Sequence, residues 1–222
     1  MDRRAPKEIG ILDIRKHTAD IANLYLMRKH TMSKQAKTLN QQEIRKVLDY
    51  IATRKHAARN RAMLMTTFLS GMRVGEVSSL RFNNVLDADG NIRDEIRLTA
   101  EMTKGQYGRV VFINERLRKE LEQYLKVIKP TNFNDKLFYS QKKTSNGFNA
   151  NTLTQHFHYL YKHAGVDGAS SHSGRRTFIT NLASKGVSVR ILMNLAGHRS
   201  IGTTQAYIDI NDSMLRKAVE LA

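Results

Sequence analysis

The chain has 222 residues, 41% of them apolar, enough to bury a core as one large domain or two small ones without covalent staples. It contains no cysteine, which excludes disulfides, thiolate zinc sites and a cysteine nucleophile. Against 20 Asp and Glu stand 37 Lys and Arg, a formal charge of +17 whose field attracts a polyanion.

The opening "MDRRAPKEIG" lacks the apolar stretch of a signal peptide, and no later run approaches the roughly 18–20 consecutive apolar residues of a membrane span. A cytoplasmic, DNA-associated protein with no membrane partner is therefore expected. Over "IGILDIRKHTADIANLYLMRKH" the helical pattern is weak, so residues 1–37 are expected to be a basic extension and the globular unit to begin at Thr38. "TLNQQEIRKVLDYIA" then sets Ile44, Val47, Leu48, Ile51 and Ala52 on one helical stripe. "NRAMLMTTFLSG" is apolar nearly all round and predicts a buried helix ending toward Gly71, with a shorter helix through "VGEVSSL" after it.

The period changes in the middle of the chain. "EIRLTA" alternates and "RVVFIN" is a β-branched run; "EMTKGQYG" between them predicts the turn of a small antiparallel hairpin. Helical spacing returns in "ERLRKELEQYLKVIKP", with Leu117, Leu121, Tyr124 and Ile128 on one face and Pro130 as the stop. "KKTSNGFNAN" is loop chemistry, "NTLTQHFHYLYKHAG" another helix, and "GRRTFITNLASKG" and "VSVRILMNLAG" two short helices closed by Gly186 and Gly197. The sum is an α+β fold, mainly α-helical, with a minor sheet.

Three stretches stand out chemically. In "SGMRVGE", Arg73 follows a buried helix, where an unpaired guanidinium is costly, and Glu76 is the partner that spacing favours. In "SHSGRRT", His172 and Arg175 are three apart; with Ser171 or Ser173 as a cap, both leave the first turn of a helix together. A basic first turn is electrostatically poor unless an anion such as phosphate sits there. In "GHRSIGTTQAY", His198 precedes a cap at Ser200 and Tyr207 lies two turns along. "DADGNIRDE" places its glycine too early for a calcium loop and predicts a turn, and His156 and His158 of "HFHYLYKH" fall on different helix faces, so neither is expected to hold a metal.

The boxes "SGMRVGEVSSL", "HSGRRTFITNLASKG" and "LAGHRSIGTTQAYI", in this order, strongly resemble the catalytic domain of the tyrosine recombinases, the phage integrase family. The resemblance runs from about Thr38 to Asp209, and in size the chain is similar to the compact fimbrial phase-switch invertases or to an excised catalytic fragment. It implies a catalytic domain over 38–210, with a tail over 211–222 that reaches a neighbouring protomer. It implies Tyr207 as nucleophile, Arg73, His172, Arg175 and His198 around the scissile phosphate, and Lys104 in the hairpin turn as general acid. Gly174 stands where leucine is usual in the family, a departure that removes no catalytic side chain.

The implied activity is site-specific recombination through a covalent 3′-phosphotyrosine, giving integration, excision or inversion, with no cofactor and no metal. A type IB topoisomerase, a DNA-binding regulator without activity and a basic RNA-bound protein are the alternatives. The implied partners are double-stranded DNA recombination sites, three further copies of the chain in a homotetramer assembled from free monomers, and an accessory DNA-bending protein. The residue types suit that chemistry. Generating phenolate from a tyrosine of ordinary pKa costs roughly 4 kcal/mol at neutral pH unless neighbouring charge or a base shares it. Planar guanidinium forks match the charge that grows on phosphate oxygens, and a lysine amine can protonate the leaving 5′ oxygen.

Overall fold

A computed structural model describes residues 35–141, 147–208, 215, 216, 219 and 220. From Ala36 onward they belong to one compact unit. The N-terminal pattern, residues 142–146 of the expected loop stretch and most of the tail after Tyr207 lie outside the described residues.

Helix α1 (Gln41–Ala52) begins with a capping box in which Asn40 and Glu43 satisfy each other's backbone N–H groups. Its inner face carries Val47 and Ile51, with Ile44 and Leu48 half-buried beside them, whereas Ala52 is exposed at the helix end. Helix α2 (Ala57–Ser70) is the centre of the molecule. Met63, Leu64, Ala62 and Phe68 are buried around its circumference, and it packs against α1, against α5 (Glu115–Ile128) and against α7 (Ser173–Ala183). An all-round apolar helix has no solvated face to offer, so neighbours must cover every side.

Helix α3 (Val74–Ser79) follows, then a four-residue helix, α4 (Phe82–Val85), that periodicity does not announce because it is only one turn long. Asp87 closes the next turn by accepting backbone N–H groups of Asp89 and Asn91, and Gly90 takes φ +83°, so "DADGN" is a turn. The expected hairpin is β1 (Glu95–Leu98) and β2 (Arg109–Phe112), antiparallel, with Leu98 opposite Arg109. Ile96, Leu98 and Val111 face the core, and a short 3₁₀ turn, Ala100–Met102, lies inside the connection. On α5, Leu117, Leu121 and Tyr124 are buried, and Lys129 in a left-handed conformation ends the helix one residue before Pro130.

The last three helices complete the frame: α6 (Ala150–His163), α8 (Val189–Ala196) and α9 (Ile201–Gln205), with α7 between α6 and α8. Helix α6 buries Leu153, Phe157 and Leu160 and packs on α1 and α3. His156 points inward to Asn60 while His158 is exposed, in keeping with their different faces. Two expectations at helix starts are corrected. His172, not a serine, is the N-cap of α7, because the Ser173 hydroxyl is engaged by the Ser170 backbone N–H. Tyr207 does not lie two turns along a helix: α9 stops at Gln205, and Tyr207 sits in the turn after it.

The departure at Gly174 has a steric reason. A Cβ at this position would overlap the hydroxyl of Thr67 on α2. Helices α7 and α2 therefore approach backbone to side chain, and no larger residue fits between them.

Candidate active site

The site is built on helix ends. Gly71 terminates α2 at φ +66°, and a Cβ there would lie 2.5 Å from the ring of Phe178, so both backbone and packing require glycine. Two residues later Arg73 is the N-cap of α3. Its backbone N–H donates to Glu76 Oε2 at 2.8 Å and its Nη1 to Oε1 at 2.9 Å, so the partner favoured by spacing is the one observed.

That pair does not account for all of Glu76. The carboxylate is only 1% exposed, and Arg109 of β2 reaches it from the other side at 2.8 Å. Burial pushes the Glu76 pKa up, but the hydrogen bond and charge of Arg109, joined by Arg73, outweigh it and hold the group below the usual carboxylate range. Nor does the pair consume Arg73, whose side chain keeps 26% of its surface exposed.

Helix α8 ends at Gly197, with φ +62°, and leaves three consecutive carbonyls pointing back from its C-terminus. Each takes one guanidinium: Leu195 O accepts from Arg109 at 2.9 Å, Ala196 O from Arg175 at 2.5 Å and Gly197 O from Arg73 at 3.1 Å. The negative end of a helix suits cations, so α8 gathers arginines from α3, β2 and α7 at one place. Arg175 also donates to Gly71 O at 2.7 Å and is 3% exposed. Its pKa is lowered to about 10, first by burial and then by the charge of Arg73.

His198 follows Gly197 directly. Its Nδ1 lies 2.9 Å from the Thr204 hydroxyl, and burial together with Arg175, Arg73 and Arg109 lowers its pKa to about 4, so the ring is neutral at physiological pH. Tyr207 stacks on that ring, with centroids 5.4 Å apart and planes 28° apart, while the Arg176 guanidinium covers the tyrosine ring at 5.3 Å. The Tyr207 carbonyl accepts from Thr180 of α7 at 3.2 Å, which fixes the turn against the helix that carries Arg175. His172, at the start of the same helix, is exposed at its edge; its pKa is lowered by partial desolvation and by the charges of Arg175, Lys104 and Arg73.

Lys104 occupies the exposed hairpin turn. With Arg73, Tyr107, Arg109, His198 and Arg199 it lines an open cleft of about 630 Å³. Arg199 lies 4.6 Å above the ring of Tyr107, linking the hairpin to the loop after α8. Arg73, Lys104 and His198 thus share the cleft wall, whereas Arg175, His172 and Tyr207 are not among its lining residues; Arg175 joins Arg73 at the end of α8, and Tyr207 stacks on His198. Arg109 is the member that sequence reasoning missed. At the start of a strand beside an exposed turn, an arginine reads as a solvated residue, and only the packing of the hairpin against α3 brings it to Glu76.

The phage integrase family model matches residues 37–214. The chain belongs to the phage integrase family. Curated relatives in the family include tyrosine recombinase XerA of Pyrococcus furiosus, 28% identical over 187 residues that cover 84% of this chain and 62% of that protein. Tyrosine recombinase XerD of Neisseria meningitidis serogroup B is 30% identical over 169 residues, 74% of this chain and 55% of its own length. The chain therefore spans somewhat over half of the curated relatives it matches. Among solved structures, a XerA recombinase superposes with a TM-score of 0.65 at 26% identity, covering 86% of this chain and 64% of that one. The post-cleavage complex of XerH with its palindromic difH substrate has a TM-score of 0.63 at 24% identity, over 82% and 51% of the two chains, and shares the fold. The mainly helical architecture with a two-stranded sheet is that of phage integrase family catalytic domains.

Proposed function

We propose that the chain carries the catalytic domain of a site-specific DNA recombinase, and that the domain cuts and rejoins DNA through a 3′-phosphotyrosine at Tyr207. The observation that carries this reading is the stacking of Tyr207 on a neutral histidine beside a cluster of arginines whose carboxylate partner, Glu76, is already doubly engaged. Such a cluster attracts an anion, and the reacting phosphate is the anion that the tyrosine chemistry supplies.

In this mechanism the Tyr207 oxygen, its phenolic proton passing to the ring of His172, attacks the scissile phosphorus, forming a P–O bond to the phenolic oxygen as the P–O bond to the 5′ oxygen breaks. Arg73, Arg175 and His172 face the charge that grows on the non-bridging oxygens. In the tautomer whose Nδ1 accepts from the Thr204 hydroxyl, His198 carries its ring proton on Nε2 and donates it to the same phosphate. Lys104, on the exposed turn, gives its proton to the leaving 5′ oxygen. The phosphotyrosine bond retains the energy of the phosphodiester, so a 5′ hydroxyl from a second duplex reseals the strand. We further assign assembly of four copies on paired sites, with residues 211–222 reaching the neighbouring copy. Leu215 and Val219, the tail's described apolar residues, are 55% and 73% exposed, which favours a partner for them outside their own domain.

A nicked suicide DNA substrate tests the reading. Wild-type protein is expected to form a denaturant-resistant adduct that maps to Tyr207, and Tyr207→Phe to bind the same DNA without forming it. An adduct mapped elsewhere, or one that persists in the variant, defeats the assignment. On two sites, relaxation without exchange would move the activity to the topoisomerase class. Truncation after residue 210 is expected to keep single-site binding and lose the higher-order complex; normal assembly by the truncated chain would defeat the role of the tail.

A further inference from the structure

Arg109 takes no place in the chemistry above, yet all three of its guanidinium nitrogens are bonded to protein acceptors at the site. Its side chain is 10% exposed. Nη2 donates to Glu76 Oε2 at 2.8 Å, Nε to Oε1 at 3.4 Å and Nη1 to Leu195 O at 2.9 Å. Its aliphatic stem lies where a Cβ on residue 197 would fall, so the absence of a side chain at Gly197 is what admits it. With Nε, Nη1 and Nη2 all turned to Glu76 and the end of α8, this guanidinium ties elements of the site together. Arg73 shares the same carboxylate but keeps an exposed edge.

Removing Arg109 would leave Glu76, only 1% exposed, with Arg73 as its remaining hydrogen-bonded cation, and would strip the Leu195 carbonyl of its donor. The whole negative charge would then draw Arg73 toward the protein and away from the cleft. The strand that carries Arg109 also begins five residues after Lys104 and pairs with β1, so the same guanidinium fixes the hairpin to α3 and α8. We propose that Arg109 is a positioning residue: by sharing Glu76 and the end of α8 with Arg73, it holds the Arg73 fork facing the scissile phosphate and keeps the Lys104 hairpin in register with it. This inference rests on the recombinase reading, because the phosphate that Arg73 faces is the one that reading supplies.

Arg109→Met and Arg109→Lys, compared with wild type on the suicide substrate, test it. Met retains an unbranched stem against Gly197 without the charge, and Lys retains the charge without the fork. The Met variant is expected to bind DNA within about threefold of wild type and to form the adduct about 100-fold more slowly, with Lys restoring the rate only to about three- to tenfold below wild type. A Met variant that cuts within about threefold of wild type overturns the role, as does loss of DNA binding in proportion to cleavage. Should the Met variant not fold, the Lys variant decides: slowed cleavage with unchanged binding supports the inference, and a wild-type rate overturns it. If wild-type protein forms no adduct, the recombinase reading itself falls and this inference with it; an adduct in wild type that Arg109→Met does not slow removes the inference alone.

Discussion

At the scale of single residues, the site is a place where ionisable groups are kept from their ordinary states. His198 and His156 both have pKa values lowered to about 4, each first by burial and then by arginine charge, Arg175 and Arg73 for the former and Arg59 for the latter. An unfolded histidine titrates near 6.5, so between about pH 6.5 and 4 the unfolded chain binds protons that the native chain refuses. The sign follows directly: this contribution to stability is complete above about pH 6.5 and is lost as the pH falls toward 4. The urea midpoint is expected to fall between about pH 7 and pH 5, and to fall less in His156→Gln, which removes one of the two groups without touching the site. An equal midpoint at both pH values would contradict these depressed histidines.

At the scale of elements, the organising feature is the end of α8. Its last carbonyls receive cations from three other elements, so the position of each arginine depends on where one helix stops. The hairpin is the other functional element. It is fixed at its base by Arg109 and near its tip by the contact of Tyr107 with Arg199, while Lys104 itself is exposed. An amine held at a turn and not in the core suits proton delivery to a leaving group that departs from the cleft. Lys104→Ala should slow cleavage of ordinary DNA by about 10²- to 10⁴-fold, the range for one general acid. A substrate with a 5′-thiol leaving group, which needs no proton, should recover most of that loss; failure to recover would assign the proton to another group.

At the scale of the whole molecule, the charge of +17 supplies a field far larger than the few cations of the cleft. DNA affinity is therefore expected to reside mostly in that distributed surface. If about 6–10 phosphates are neutralised, binding should weaken by about 10³- to 10⁵-fold between about 50 and 200 mM salt. Arg73→Ala should leave that salt slope nearly unchanged. Salt-insensitive binding would show that affinity comes from elsewhere.

Much of this was legible in the chain itself. Periodicity located the long helices because a 3.6-residue stripe or an all-round apolar run is written locally, and the glycines at 71 and 197 marked helix ends for the same reason. The three boxes carried the family, and they named Arg73, His172, Arg175, His198 and Tyr207 as a set. Tertiary structure alone decided how those residues are held. That Arg109 joins Arg73 on Glu76, that three guanidinia share successive carbonyls of one helix, and that Gly174 is small because Thr67 stands opposite are contacts between residues 21 to 124 positions apart. A side chain's partner across such a separation depends on how the intervening helices pack. Local pattern records which face of a helix is buried, and packing selects the atoms that meet there.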